Sequence, residues 1–303
     1  MTTTESPRRK VAAHEVVHEL GPGQSLELLR ELHLLTRAGD MNADALRKLK
    51  QINHLMRLLA PAIGELFEHH EQPCLVDAGA GNAWLGLLLH EALLRPAGRG
   101  QILGIERRAE LVARAEERAA RLKMAHIRFT HADVASMIPA EGGAHEPIHA
   151  VLALHACDRA TDEAILLGLR AEAQVIAVVP CCQAEIAALL QGEANHGALS
   201  PLWRHGLHRR ELGAHLTNVI RGLVLEAHGY KVRVTELVGW EHSLKNELIV
   251  AVRHQRANGL ARRQLQTLLA DLPPLPMWLL EQTGLVGRGQ AGDAGAAERR
   301  PAD

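Results

Sequence analysis

Aromatic side chains are scarce, with one tyrosine, two phenylalanines and four tryptophans in 303 residues. Proteins that grip single-stranded nucleic acid stack bases on aromatic rings, so a broad stacking platform is excluded. Cysteine is also rare. Cys74, Cys157, Cys181 and Cys182 form no spaced disulfide framework in a chain this long, which points to a reducing, cytoplasmic compartment. The first twenty residues, MTTTESPRRKVAAHEVVHEL, lack the apolar core of a secretory signal. No stretch approaches the roughly twenty apolar residues of a membrane span, so no membrane partner is expected. A dominant charge is missing too. The formal net charge is −1, and any nucleic-acid contact must come from a local patch rather than a global field.

What is present is apolar sequence arranged in two periods. Apolar residues make up 47% of the chain, enough for a sizeable core. Residues 1–10 read as a polar leader. From Ser25 to Phe67 the pattern is helical, with a break at Gly39-Asp40 and Ser25 as the N-cap of the first piece, SLELLRELHLLTRA. The second piece sets Leu46, Leu49, Ile52, Leu55 and Leu59 at three- and four-residue steps, one apolar face, with Pro61 as a candidate kink. Its other side carries Arg47, Lys48, Lys50 and Arg57, which is either a solvated face or a basic ledge beside a site. From Cys74 onward, CLVDAGA, QILGIE, HIRFTHA, HAVLALH and QVIAVV read as strands. Amphipathic segments such as AELVARAEERAARLK separate most of them. Such alternation implies an α/β fold with a parallel, doubly wound sheet. A helix over about Glu211–Ala227 leads into YKVRVTELV and NELIVAVR, which a short loop joins as an antiparallel pair. One more helix, ARRQLQTLLADL, a PPLP break and WLLEQTG follow, and disorder is expected from about Gly287. The expected parts are an N-terminal helical region (1–70), a nucleotide-binding domain (71–255) and a C-terminal helix with tail (256–303).

The most informative local pattern is Leu75-Val76-Asp77-Ala78-Gly79-Ala80-Gly81-Asn82-Ala83-Trp84. A glycine-rich turn between a first strand and a helix lets the backbone approach a bound nucleotide. By itself this is also the pattern of an ordinary tight turn. Two details favour S-adenosylmethionine over a dinucleotide. A dinucleotide fingerprint has a third glycine three residues beyond Gly81, to pack around a pyrophosphate, and this chain has Trp84. Asp77 would repel a pyrophosphate but suits a ligand carrying an ammonium group and a sulfonium. Glu106, at the end of the second strand, is placed to accept from ribose hydroxyls, and Asp133, after the third, from an adenine amino group. Singly, each acid could equally cap a helix or sit on the surface. Together they fall at the carboxyl edge of one sheet, where open α/β sheets bind ligands.

Further along, Leu154-His155-Ala156-Cys157-Asp158, Ala160-Thr161-Asp162 and Val179-Pro180-Cys181-Cys182-Gln183 resemble a bacterial group of class I methyltransferases. That group carries these segments after its fourth and fifth strands. The resemblance takes in Lys50-Gln51-Ile52-Asn53, Glu241-His242 and Lys245-Asn246, and so runs from about Ala45 to Arg253. It implies a Rossmann-like fold with a seven-stranded, mostly parallel sheet, an antiparallel edge hairpin and an N-terminal helical extension. It implies S-adenosylmethionine as cofactor, with Leu154 joining Asp77, Gly79, Gly81, Glu106 and Asp133 in the binding set. More distantly, the segments are similar to a eukaryotic tRNA ribose 2′-O-methyltransferase family, which has glycine where this chain has Asp158 and histidine where it has Gln183. RNA is the leading expected acceptor; a protein or small-molecule acceptor, or a binding module without turnover, are the alternatives.

Methyl transfer needs alignment of the acceptor, exclusion of water and sometimes removal of a proton. The candidates are His155 as a general base, Asp158 as a helix cap or acceptor-orienting group, and Cys181 and Cys182. The two thiols are read as small packed side chains, as a nucleophile adding to a pyrimidine ring, or, with His155 and Cys157, as zinc ligands. Their spacing is not that of a zinc ribbon, and no resident metal is expected. His14-Glu15-Val16-Val17-His18 matches H-E-x-x-H, but Pro22 cuts the segment short and Gln24 stands where a longer zinc motif has its third histidine, so the match is read as chance. Local basic clusters, Arg47-Lys48-Leu49-Lys50, Arg204 with Arg209-Arg210, and Arg262-Arg263, favour RNA. Nothing implies an obligate protein partner.

Overall fold

The computed structural model describes residues 10–11, 20–21, 24–36, 40–141, 143, 145–154, 159–180, 184–192, 198–236 and 247–285. At the start, β1 (Lys10–Val11) pairs antiparallel with β2 (Met41–Asn42), so the end of the expected leader is drawn into a small ladder. Helix α1 (Leu26–Glu31) opens on Ser25, whose Oγ accepts from the Leu28 N–H at 3.1 Å. It is shorter than the sequence suggested. The N–H groups of Leu34 and Leu35 both return to the Leu29 carbonyl, and His33 sits at φ 56°, which ends the helix. Helix α2 (Ala43–His69) is capped by Asn42 and runs unbroken through Pro61, which lies on its exposed side. Leu49, Leu55 and Leu59 of its expected apolar face are buried; Leu46 and Ile52 are half-buried.

The central sheet has seven strands. They are β3 (Cys74–Ala78), β4 (Gln101–Glu106), β5 (Ile127–His131), β6 (Ala150–Leu154), β7 (Val175–Val179), β8 (Tyr230–Glu236) and β9 (Glu247–Arg253). Their order is β5-β4-β3-β6-β7-β9-β8; the first five are parallel and β9 is antiparallel to both neighbours. Each of the five expected strand segments becomes one of the parallel strands, and the expected hairpin is the β8–β9 edge. Helix α3 (Trp84–Leu89) continues through a π turn (His90–Leu94) and a last short turn (Arg95–Ala97). Then come α4 (Ala109–Arg121), α5 (Arg159–Arg170), α6 (Glu185–Gly192), α7 (Gly206–Ala227), α8 (Gly259–Ala270) and α9 (Trp278–Thr283).

Strand side chains alternate between two faces. Leu75, Ala150, Leu152, Val175 and Ala177 pack with Leu55, Leu59, Ile63 and Leu66 of α2. Val76, Val151, Ala153, Ile176 and Val178 pack with α5 and with Leu216, Ile220 and Val224 of α7. A further cluster joins Leu28, Leu29, Leu32 and Leu49 to Ala83, Leu87 and Leu88 of the α3 region and Val112 and Ala115 of α4. The N-terminal helices therefore press on the segment that follows β3. Ser25 reinforces this, donating from N and Oγ to the buried Glu91 at 3.0 and 2.7 Å.

Helix length matters for the site. A five-residue strand spans about 17 Å, whereas α2, with 27 residues, spans roughly 40 Å. Its C-terminus is fixed at the amino edge of the sheet, where the His70 ring lies 4.0 Å from that of His149 and its Nε2 meets Gln174 Nε2 at 2.7 Å. Its first turns must then overrun the carboxyl edge. On the other face, α7 also ends at the amino edge, just before Tyr230, whose hydroxyl donates to the Ala173 carbonyl at 2.6 Å. It passes the carboxyl edge at Asn218, whose Nδ2 donates to Oε2 of Glu247, the first residue of β9, at 2.5 Å. The helix starts five residues earlier than the sequence suggested, and residues 206–218 stand roughly 18 Å beyond that edge.

At the same level the core holds a charged pair. Arg221, 1% exposed, donates from Nε to Asp162 Oδ1 at 2.7 Å and from Nη1 to Asn218 Oδ1 at 3.2 Å. Burying such a pair gains little, but removing one member is costly because the other charge stays in low dielectric. Arg221→Met is expected to cost about 3–5 kcal/mol, read as a lower denaturation midpoint in urea. The Asp162→Leu/Arg221→Met double variant should recover part of that loss.

Candidate active site

The turn after β3 is built from left-handed residues at every second position. Gly79 has φ 73°, Gly81 55° and Ala83 61°. A Cβ added at Gly79 would meet nothing within 4 Å, so glycine is required there by conformation, and that side of the turn is open. The end of β4 holds the turn in place. The N–H groups of Gly79 and Ala80 both donate to the Ile105 carbonyl, at 2.9 and 2.8 Å. Gly81 N–H donates to Glu106 Oε2 at 2.8 Å. From α4, Arg118 Nη1 donates to the Asn82 carbonyl at 3.0 Å.

Asp77 is 2% exposed. Its Oδ2 accepts from the Gly86 N–H at 3.1 Å, satisfying an orphan donor in the first turn of α3, whose N-cap is Ala83 and offers no side-chain acceptor. Oδ1 takes no hydrogen bond among the described residues. Burial, seconded by the Glu106 charge, pushes the Asp77 carboxyl up to about 7. Glu106 goes the other way. Partial burial raises its pKa, but the Arg108 guanidinium at 2.8 Å and the amides of Arg108 and Gly81 outweigh that, holding it below the usual range. The two acids thus differ: Glu106 is a fixed anion, and Asp77 a buried carboxyl that gains its charge most easily when a cation arrives.

Asp133 follows β5. Its side chain is 61% exposed, caps nothing, and lies 3.9 Å from Arg107 Nε, an exposed pair of little energetic weight. Leu154 ends β6, half-buried. All six residues expected to hold the cofactor thus lie at the ends of β3, β4, β5 and β6 or in the turn after β3. His155, Cys157, Asp158, Cys181, Cys182 and Gln183 lie outside the described residues, as do His14–His18, residues 237–246 and the tail from 286. Among the described residues no group of three or more histidine, cysteine, aspartate or glutamate side chains is placed to hold a metal. No described helix is long and apolar enough to cross a membrane.

Three features of the site were not read from the sequence. Arg108 clamps Glu106 from two residues away, a pairing without a spacing signature. Ala83 takes a left-handed conformation that glycine usually supplies. The Lys48 ammonium of α2 sits 5.6 Å from the ring centroid of Trp84, the first residue of α3, a contact no spacing announced, although a basic ledge beside a site was one of the two readings of that face.

Residues 47–189, a little under half of the chain, match a family model described as a methyltransferase domain. Among solved structures, an rRNA methylase from Streptococcus thermophilus is 13% identical, with 65% of this chain and 95% of that one covered and a TM-score of 0.41. A magnesium protoporphyrin IX methyltransferase from Synechocystis is also 13% identical, with 68% and 86% covered and a TM-score of 0.37. A Podospora anserina methyltransferase is 10% identical, with 80% and 94% covered and a TM-score of 0.43. No curated protein sequence matches the chain.

S-adenosylmethionine fits the residues present. Oδ1 of Asp77 is available to an ammonium group, the open side of Gly79 admits close backbone approach, and Glu106 Oε2, with one bond made, retains a lone pair for a hydroxyl.

Asp77 also makes a stability prediction. Its carboxyl binds a proton more tightly folded than unfolded, so its contribution is fully present below the ordinary value of 3.8 and is lost as pH rises through about 7. Asp77→Asn keeps an acceptor for Gly86 without the charge. In the cofactor-free protein it should melt higher than the parent above pH 7, by an amount that shrinks to nothing below pH 4 in thermal scans.

Proposed function

Taking the chain as a class I S-adenosylmethionine-dependent methyltransferase, we propose that its acceptor is RNA, a tRNA or rRNA, modified in the cytoplasm. The observation that carries this is the basic edge of α2 against the glycine turn. Arg47, Lys48, Lys50 and Arg57 are exposed, and Lys48 touches Trp84, so positive charge lines the rim of the cofactor site although the whole chain is near neutral. A phosphate backbone is drawn by such a rim. The cofactor, when bound, supplies a methyl group activated on sulfonium. Asp77 holds its ammonium end, Glu106 its ribose and Asp133 its adenine, while Gly79, Gly81 and Leu154 line the seat.

We assign His155, Asp158, Cys181 and Cys182 to the acceptor side because they follow, in sequence, the ends of β6 and β7, which lie at the carboxyl edge of the sheet. His155 is the proton acceptor in this reading and Asp158 orients the acceptor. The similarity of these segments to the tRNA ribose methyltransferases favours a nucleotide of a folded RNA as target. The N-terminal region (1–70) supplies the basic rim, residues 71–255 the catalytic domain, and residues 256–303 a covering helix and tail.

Labelled methyl from S-adenosylmethionine is expected to enter RNA, and not protein, in extracts of cells lacking the gene. Arg47→Ala/Lys48→Ala should slow that transfer about tenfold while leaving cofactor affinity unchanged. Label confined to protein would end the RNA reading. Separately, Glu106→Ala removes charge-assisted hydrogen bonds worth about 1.5–3 kcal/mol, so cofactor affinity by calorimetry should fall roughly ten- to a hundredfold.

A further inference from the structure

We infer that the projecting half of α7, with the 3₁₀ turn before it, is a second phosphate-docking wall, and that the two walls together select base-paired over single-stranded RNA. The inference rests on the RNA reading above and makes it narrower.

The wall is defined by what α7 does beyond Asn218. Residues from Ser200 to Leu207 make a 3₁₀ turn (Ser200–Leu202) and the start of the helix, held down by the buried Trp203. Around that anchor Arg204, His205, His208 and Arg210 are exposed and Arg209 half-exposed, with Glu211 the only acid among residues 198–217. The segment is therefore a basic projection on the carboxyl-edge side of the sheet. It rises from the face opposite α2, whose own basic turns overrun the same edge. A duplex reaching over the carboxyl edge would then meet a positively charged flank on each face of the sheet.

Single strands are gripped chiefly by stacking, and among the described residues no phenylalanine, tyrosine or tryptophan ring is exposed, while the exposed His205 and His208 stand edge to face with each other. Phe129, Trp203 and Tyr230 are buried. The three half-buried rings each already carry a cation on a face: Lys48 on Trp84 at 5.6 Å, Arg99 on Phe67 at 5.7 Å and Arg159 on Trp278 at 4.6 Å. Flanks of positive charge without exposed phenyl or indole faces suit recognition by backbone and shape, which is how proteins hold RNA duplexes. The exposed leucines of the projection, Leu202 and Leu207, at 52% and 54%, would also suit a protein, but the surrounding arginines and histidines favour a polyanion.

The test is equilibrium binding of the full-length protein, by fluorescence anisotropy, to a labelled twenty-base-pair RNA duplex and to one of its strands alone. The expected result is at least tenfold tighter binding to the duplex at about 100 mM salt. Arg204→Ala/Arg210→Ala removes two exposed charges and should weaken duplex binding about tenfold or more. It should also reduce the slope of log affinity on log salt by about 2, with S-adenosylmethionine affinity unchanged as the measure of intact folding. Equal or tighter binding of the single strand would overturn the duplex inference and leave the RNA reading standing. Duplex affinity untouched by the double variant would overturn the α7 wall. Failure to bind either RNA, with cofactor binding intact, would remove the RNA reading as well.

Discussion

The site depends on carboxylate-to-amide ties at the ends of two adjacent strands. Asp77 at the end of β3 takes the Gly86 amide, and Glu106 at the end of β4 takes the Gly81 amide, so the chain between them has little freedom left. Three of the five residues from Gly79 to Ala83 are left-handed, a conformation the surroundings must impose on Ala83 in particular. Because both acids are held by backbone amides, the turn that we propose seats the cofactor is shaped before any ligand arrives. Binding then forfeits little ordering entropy.

The sheet was legible because strand and helix periods differ and the chain rarely blurs them. VIAVV and AVLAL are short apolar runs bounded by polar or turn residues, and each became a five-residue strand inside the longer segment expected, QVIAVV and HAVLALH. The three acids were legible for a topological reason: a parallel sheet sends every strand end to one edge, so order in sequence becomes neighbourhood in space. What was not legible depended on distance or on competition. The segment LHLLTRA continues a helical pattern, yet Leu34 and Leu35 are buried by turning back on Leu29, where tertiary packing overrides local periodicity. The early start of α7 was hidden because Gly206-Leu207-His208-Arg209-Arg210 has no apolar stripe, and the helix buries a residue only from Gly213, against Ala187 of α6. Contacts such as Lys48 with Trp84 or Ser25 with Glu91 join residues tens of positions apart, and nothing in a single sequence announces them.

A sheet of short strands between long helices is itself an economical way to make a cleft. The core needs only as much helix as the strands can cover, and the remainder must project from whichever end is not anchored. Here both long helices are fixed at the amino edge, α2 through His70 and α7 through the turn into Tyr230, so both surpluses emerge over the ligand edge. The buried Arg221–Asp162 pair lies near the base of one projection and ties α7 to the first turn of α5. A lever arm without such a fulcrum would sway; this one is braced where it leaves the core.

The packing of the N-terminal helices on the turn has a further consequence for local unfolding. Leu28, Leu29 and Leu32 share one apolar cluster with Ala83, Leu87 and Leu88, so α1 cannot lift away without uncovering the side chains that back the glycine turn. The two segments, fifty residues apart in sequence, are therefore expected to open and close as one cooperative unit. A ligand that stiffens the turn therefore also slows amide exchange in α1, and the first helix becomes a gauge of occupancy at a seat it does not touch.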